Sequence, residues 1–221
     1  MSLIVFDLDG TLVDSRRDLA ESTNEMLATY GAPEFSIDVV ARMVGEGAKK
    51  LVERALAAAG LDPNERDALD RFRAIYDRRL LVHTKPYAGI PDVVRSLAEA
   101  HDLAVLTNKP EAPSWRLLEA FGIAGAFARV IGGDSGPARK PDPAGLQALM
   151  DDLGTASTAT WLVGDSMIDV ETARRAGVRM CVALYGFGQL RGELELDSRE
   201  VTVRTPMEIP SAISAPARRK M

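Results

Sequence analysis

The chain contains one cysteine, two histidines, no long apolar run and no excess of positive charge. The single thiol, Cys181 in RMCVALYG, rules out a disulfide framework, and its apolar neighbours read as a buried core position. His83 and His101 have no evident partners, so the Cys/His clustering that zinc requires is missing. A net charge of −5 gives no general attraction to nucleic acid or to an anionic membrane. No stretch is apolar enough to span a bilayer, and MSLIVFDLDG carries no basic residue ahead of its short apolar run. Neither a membrane span nor a signal peptide is therefore expected, and a cytoplasmic location is the default. No Gly-x-Gly-x-x-Gly follows the first apolar run and no P-loop pattern occurs, which speaks against a dinucleotide-binding protein.

What is present is enough for a substantial core: 221 residues, 46% of them hydrophobic. Short, continuously apolar runs at Leu3–Phe6, Leu103–Thr107, Phe127–Ile131, Trp161–Gly164 and Met180–Leu184 suit strands covered on both faces. Helical patterns lie between them, at Ile90–Ala100, Ala112–Phe121, Pro143–Leu153 and Ile168–Ala176. Asp142-Pro143 reads as a helix start, and Gly122, Gly154 and Gly177 as helix ends. This alternation predicts an α/β protein with a parallel sheet between two helical layers. One segment breaks the rhythm. From about Ser15 to about Lys85 only helices are expected, over Arg16–Tyr30, Ile37–Val44, Ala48–Ala59 and Pro63–Leu81. Ser36 and Asp62 serve as N-caps there, and Gly31 and Gly60 as ends. Residues 1–14 and 86–221 thus form the core, and 15–85 a four-helix insertion. The tail SAPARRKM is expected to fray.

The stretch VFDLDGTLVDS places two aspartates, Asp7 and Asp9, directly after an apolar strand. Ligands of open α/β sheets bind beyond the carboxyl ends of the strands. Thr107 and Asn108 follow the second core strand, Asp165 follows the fourth, and Asp169 comes one turn later. Lys140, in the Gly/Pro-rich GGDSGPARKPDP, can reach the same edge. Carboxylates gathered this closely oppose one another's ionisation unless a cation compensates. An oxygen-only donor set points to Mg²⁺, which would also draw in a phosphate. Given a phosphate, Asp7 is a candidate nucleophile and Thr107 a hydroxyl donor to a phosphoryl oxygen. Lys140 can neutralise phosphoryl charge and orient Asp7. Asp9 can protonate the leaving oxygen and then deprotonate the attacking water. A carboxylic acid donating a proton at neutral pH needs a water-poor pocket, and so a lid, and the helical insertion stands in the right place for one. Read singly, these residues are ordinary: Asp7 and Asp9 turn residues, Lys140 a solvated charge, Asp165 a helix cap, Asp169 a first-turn acid. Their common order along the chain is what separates them from that background.

FDLDGTLVDS, LTNK, RKPDP and GDSMIDVETARRAG, in this order, resemble the four signature motifs of the haloacid dehalogenase-like hydrolase superfamily. The resemblance implies a Rossmann-like core, an Mg²⁺-dependent aspartyl-phosphate mechanism and a mobile cap domain, here of the small helical kind. By motif it makes Asp7 the nucleophile and Asp9 the general acid/base, with Thr107 and Lys140 on phosphate. It places the metal on Asp7, the backbone carbonyl of Asp9, and Asp165, with Asp169 in support. Because Asp9 is an acid, phosphate-ester chemistry is favoured over carbon–halogen or carbon–phosphorus cleavage.

More locally, VGEGAKKLVERALAAAG and GGDSGPARKPDP resemble the phosphoglycolate phosphatases, which implies 2-phosphoglycolate as substrate. Gly45, Glu46, Gly47 and Lys49 are then the expected substrate loop, beside Asn108, and Lys49, Lys50 or a helix N-terminus would meet the substrate's carboxylate. Same-fold pyrophosphatases, nucleotidases and sugar phosphomutases share the core motifs and stay open as alternatives. So does, from another class, a phospho-accepting signalling receiver. The expected partner is a small phosphorylated metabolite, and the chain is expected to be a monomer or a homodimer.

Overall fold

In the computed structural model, which describes residues 2–188 and 197–214, strand and helix alternate around one long helical interruption. The chain begins with β1 (Leu3–Phe6) and β2 (Val13–Asp14). Four helices follow: α1 (Arg16–Ala28), α2 (Ile37–Ala41), α3 (Ala48–Ala58) and α4 (Ala68–Arg79). Then come β3 (Lys85–Pro86), α5 (Ile90–Ala98), β4 (Asp102–Leu106), α6 (Glu111–Ala120), β5 (Arg129–Ile131) and α7 (Ala144–Asp152). The last elements are β6 (Thr160–Gly164), α8 (Met167–Ala176), β7 (Arg179–Ala183), β8 (Glu200–Val203) and α9 (Ile209–Ser214). Six strands form one parallel sheet in the order β5-β4-β1-β6-β7-β8, a Rossmann-like α/β core. No helix among the described residues is long and apolar enough to cross a membrane.

The apolar strands are apolar at every position because each face is covered. In β1, Leu3 and Val5 join Leu146 and Leu149 of α7 and Val170 and Ala173 of α8. Ile4 and Phe6, pointing the other way, join Val93, Val94 and Leu97 of α5 and Leu117 of α6. Cys181 is fully buried in this second layer, and burial pushes its thiol up to about 12. Almost no thiolate therefore exists at pH 8. A disulfide reagent is expected to leave the native protein unlabelled and to titrate one thiol per chain only in denaturant; prompt labelling of the native form would contradict this packing.

Two features were not foreseen. Strand β8, EVTV, alternates, as an edge strand can; Glu200 is buried beside Arg174 of α8, which donates to it through Nε (2.6 Å) and Nη2 (2.9 Å). Strands β2 and β3 form a separate antiparallel ribbon, Val13 opposite Pro86 and Asp14 opposite Lys85. Between them the helices pack on one another. Arg79 of α4 reaches Glu21 and Glu25 of α1 at 2.7 and 3.0 Å. The buried Asp18 accepts the Thr84 hydroxyl and the His83 and Thr84 amides, fixing the exit loop to α1.

The fourth helix is shorter than Pro63–Leu81. Asp62 caps only a turn, accepting the Asn64 amide at 2.9 Å, and the helix starts at Ala68. Ser36 does cap α2, and Gly177 ends α8 in the left-handed conformation (φ 70°). Pro143 sits one position ahead of α7, and Asp142 accepts the Ala144 amide at 2.9 Å. The expected frayed tail lies, beyond Ser214, outside the described residues.

Candidate active site

Register puts the site together. Phe6 of β1 stands opposite Val105 of β4 and Val163 of β6, so these strands end level. Asp7, Thr107 and Asp165 are the residues at or just past those ends, at one edge of the sheet. After Asp7 the backbone turns sharply: the Leu12 and Val13 amides both donate to the Leu8 carbonyl, at 2.9 and 3.0 Å. Gly10, at φ +92°, is needed in this turn for a second reason, since a Cβ there would collide with the Asp165 carboxylate.

Asp7, Asp165 and Asp169 each offer an oxygen, and these oxygens lie within 4.8 Å of one another. One ammonium compensates for them. Lys140 Nζ, 2% exposed, is 2.8 Å from Asp7 and 2.6 Å from Asp169. Burial opposes the charge on Lys140, yet Asp169 and Asp7 together hold it above the usual lysine range. Asp169 is fully engaged, because Ser166 Oγ and its amide also donate to it, at 2.6 and 3.1 Å. It thereby anchors both Lys140 and the first turn of α8. Asp165 accepts the Phe187 and Gly188 amides at 2.9 and 2.6 Å.

Three carboxylates with one ammonium leave the cluster short of positive charge. Burial, helped by the Asp169 charge, pushes Asp7 up to about 6 despite Lys140. Burial, with Asp169 and Asp7 nearby, likewise lifts Asp165 well above the usual carboxylate range. An all-oxygen, charge-deficient set of this kind fits a hard divalent cation such as Mg²⁺.

A cavity of about 500 Å³ opens above these groups. Asp7, Asp9, Thr107, Asn108 and Asp165 line its floor, and Leu51 of α3 with Phe72 and Tyr76 of α4 line its roof. Lys140 and Asp169 lie beneath the floor, behind Asp7. Asn108 joins the two sides, its Nδ2 donating to the carbonyls of Lys140 (3.0 Å) and Gly45 (2.9 Å). Gly45 and Gly47 line the cavity. The structure does not bring Glu46 or Lys49 there. Helix α3 turns its apolar positions Ala48 and Leu51 inward, which sends Lys49 to solvent, 67% exposed and 3.8 Å from Glu53, while Glu46 pairs with Arg54. Lys50 also faces out, toward Glu53.

Sequence reasoning assigned no part to Lys109 or Tyr76. Lys109 Nζ lies 3.2 and 3.3 Å from the two Asp9 oxygens and 2.5 Å from the Tyr76 hydroxyl. Asp9 also accepts the Ser15 hydroxyl at 2.6 Å. Lys109 stood in plain sight in LTNK; Tyr76 was masked by its helical spacing with Leu69, Phe72 and Ile75, which reads as core.

Comparison with known proteins places this geometry among relatives. The family model described as haloacid dehalogenase-like hydrolase matches residues 4–183. The chain is 43% identical over 194 residues to a phosphoglycolate phosphatase of Rhodospirillum rubrum, covering 84% of this chain and 80% of that one. It is 33% identical over 195 residues to a phosphoglycolate phosphatase of Aquifex aeolicus, covering 88% and 90%. Among solved structures, a predicted phosphoglycolate phosphatase from Haemophilus somnus superposes with a TM-score of 0.87 at 30% identity, covering 96% of this chain and 97% of that one.

Proposed function

Because the chain belongs to the haloacid dehalogenase-like hydrolases and is a phosphoric monoester hydrolase, we propose that it hydrolyses 2-phosphoglycolate through a phosphorylated Asp7. The observation that carries this reading is the nucleophile's setting. Asp7 is held 2.8 Å from a buried ammonium, among oxygens suited to a divalent cation, at the floor of the cavity. The relatives' substrate, together with a cavity sized for a small ligand, supports 2-phosphoglycolate.

Each residue then has a task. An Asp7 oxygen attacks phosphorus as the bond from phosphorus to the ester oxygen breaks. Asp9 gives its proton to that oxygen, so glycolate departs as a neutral alcohol at that end. Asp9 next takes a proton from water, whose oxygen attacks phosphorus and returns Asp7 as a free carboxylate. Thr107 donates its hydroxyl to a phosphoryl oxygen, and Asn108 holds the roof loop down at Gly45. Lys140 fixes Asp7 and offsets charge on the phosphoryl group. Asp7, Asp165 and the Asp9 carbonyl would hold Mg²⁺, which supplies charge neutralisation at the phosphoryl oxygens. Residues 15–85 act as the cap domain that excludes water.

The test is phosphate release from a panel of 2-phosphoglycolate, pyrophosphate, a nucleoside monophosphate and a hexose phosphate. Turnover is expected to be fastest on 2-phosphoglycolate, to need Mg²⁺ and to vanish with a chelator. Faster turnover of another panel member, or full activity in chelator, would overturn the reading.

A further inference from the structure

Lys109 is a charged group that the chemistry above does not use. Its side chain is 4% exposed, and its ammonium lies against both Asp9 oxygens, the Tyr76 hydroxyl and, at 4.4 Å from the centroid, the Tyr76 ring. Two other cations line the cavity, and both are exposed. Arg139 gives its Nε to the Gly133 carbonyl at 2.7 Å, and Arg73, 54% exposed, faces Asp70 at 3.4 Å. Lys140 is enclosed by Asp7 and Asp169. Among the described residues lining the cavity, Lys109 is thus the buried cation beside the group that must reach the ester oxygen.

We propose that Lys109 selects the substrate: its ammonium binds a carboxylate carried next to the ester oxygen, exchanging Asp9 for that carboxylate as the substrate enters. This rests on the function proposed above. In a phosphorylated 2-hydroxy acid the carboxyl carbon is two bonds from the ester oxygen. When Asp9 touches that oxygen, a cation already hydrogen-bonded to Asp9 is within one contact of the carboxylate. The exchange replaces one anionic partner of a buried ammonium with another, so the ammonium is not left unpaired. A substrate ending in an apolar group offers no such exchange, and Lys109 then keeps both Asp9 oxygens engaged. Tyr76, donating nothing to Asp9 itself, holds the ammonium from the roof side and ties the selection to a closed roof.

The experiment compares kcat/KM for 2-phosphoglycolate and for ethyl phosphate, which carries a methyl group where the carboxylate would be. Wild type is expected to prefer 2-phosphoglycolate. Lys109→Met should cut the ratio of the two by about 10²-fold, as expected for removing one partner of a buried charge pair. The loss should fall mainly on KM for 2-phosphoglycolate. Lys109→Arg, which keeps the charge, should restore part of the ratio. A folded Lys109→Met enzyme with the wild-type ratio overturns the proposal and leaves the phosphatase reading intact. A wild type without preference for 2-phosphoglycolate sinks both. If Lys109→Met does not fold by circular dichroism, Tyr76→Phe decides: a several-fold rise in KM confined to 2-phosphoglycolate supports the exchange, and equal effects on both esters overturn it.

Discussion

Asp7→Asn is expected to lose phosphate release by roughly 10⁵-fold or more in kcat, the scale seen when a covalent nucleophile is removed. An amide oxygen cannot accept a phosphoryl group and return as a carboxylate, so no slower version of the same route remains. The folded state is expected to respond in the opposite sense. Burial raises the Asp7 carboxyl to about 6, above its ordinary 3.8. Its protonated form is therefore the one the native structure prefers. The stabilisation this gives is complete below the ordinary value and fades as pH rises through about 6, where the native protein must carry a poorly solvated charge. In chelator, the variant should gain stability relative to wild type between pH 4 and pH 7.5, by up to roughly 3 kcal/mol. Thermal melts of both proteins across that range, alongside a phosphate-release assay, check the two halves together. Undiminished turnover in a folded Asp7→Asn protein would remove Asp7 from the mechanism. A wild type that gains on the variant with rising pH would contradict the electrostatic account of the cluster.

Lys140→Met carries the second large effect, and here activity and stability fall together. The ammonium is 2% exposed and pairs with Asp7 and Asp169. Deleting it leaves Asp7, Asp165 and Asp169 gathered with no buried cation between them. Breaking a buried pair from one side is destabilising by about 3–5 kcal/mol, because the abandoned charges stay desolvated. Turnover should drop about 10²–10³-fold, as for the loss of one group that stabilises transition-state charge. Denaturant titrations in chelator and in Mg²⁺ separate the two roles: the divalent ion should recover part of the stability while turnover stays low. Unchanged stability in chelator would show that the three carboxylates do not burden the native state.

Much of this architecture could be read from the chain because its signals are local and physical. Continuous apolar runs such as LIVF and WLVG, alternating with helical patterns, suit strands covered on both sides, and the polar residues that follow them fall at one edge by topology. That is why Asp7, Thr107 and Asp165 could be expected at one edge of the sheet from the chain alone. What escaped was decided by contacts between residues far apart in the chain. Strand β8 is four residues with alternating character, and its Glu200 is tolerated inside because Arg174 arrives from α8 and the Asp197 amide also donates to it. The Phe187 and Gly188 amides that hold Asp165 carry no side-chain signature. Lys109 and Asn108 look equally polar in LTNK, and only the fold shows that one faces Asp9 and the other bridges to Gly45. Lys49 is the converse case: next to two glycines it looks like a ligand-binding lysine, but the phase of α3 directs it outward.

The ribbon of β2 and β3 has an implication for how such proteins diversify. The chain leaves the sheet at Val13–Asp14 and comes back at Lys85–Pro86, and these two stretches lie side by side. Everything between them hangs from a single doorway. Insertions, deletions or wholesale exchange of the intervening helices need not alter the spacing of the parallel strands, so the carboxylates at the sheet edge can stay in place. Natural selection can therefore rewrite the ceiling while the floor keeps its arrangement.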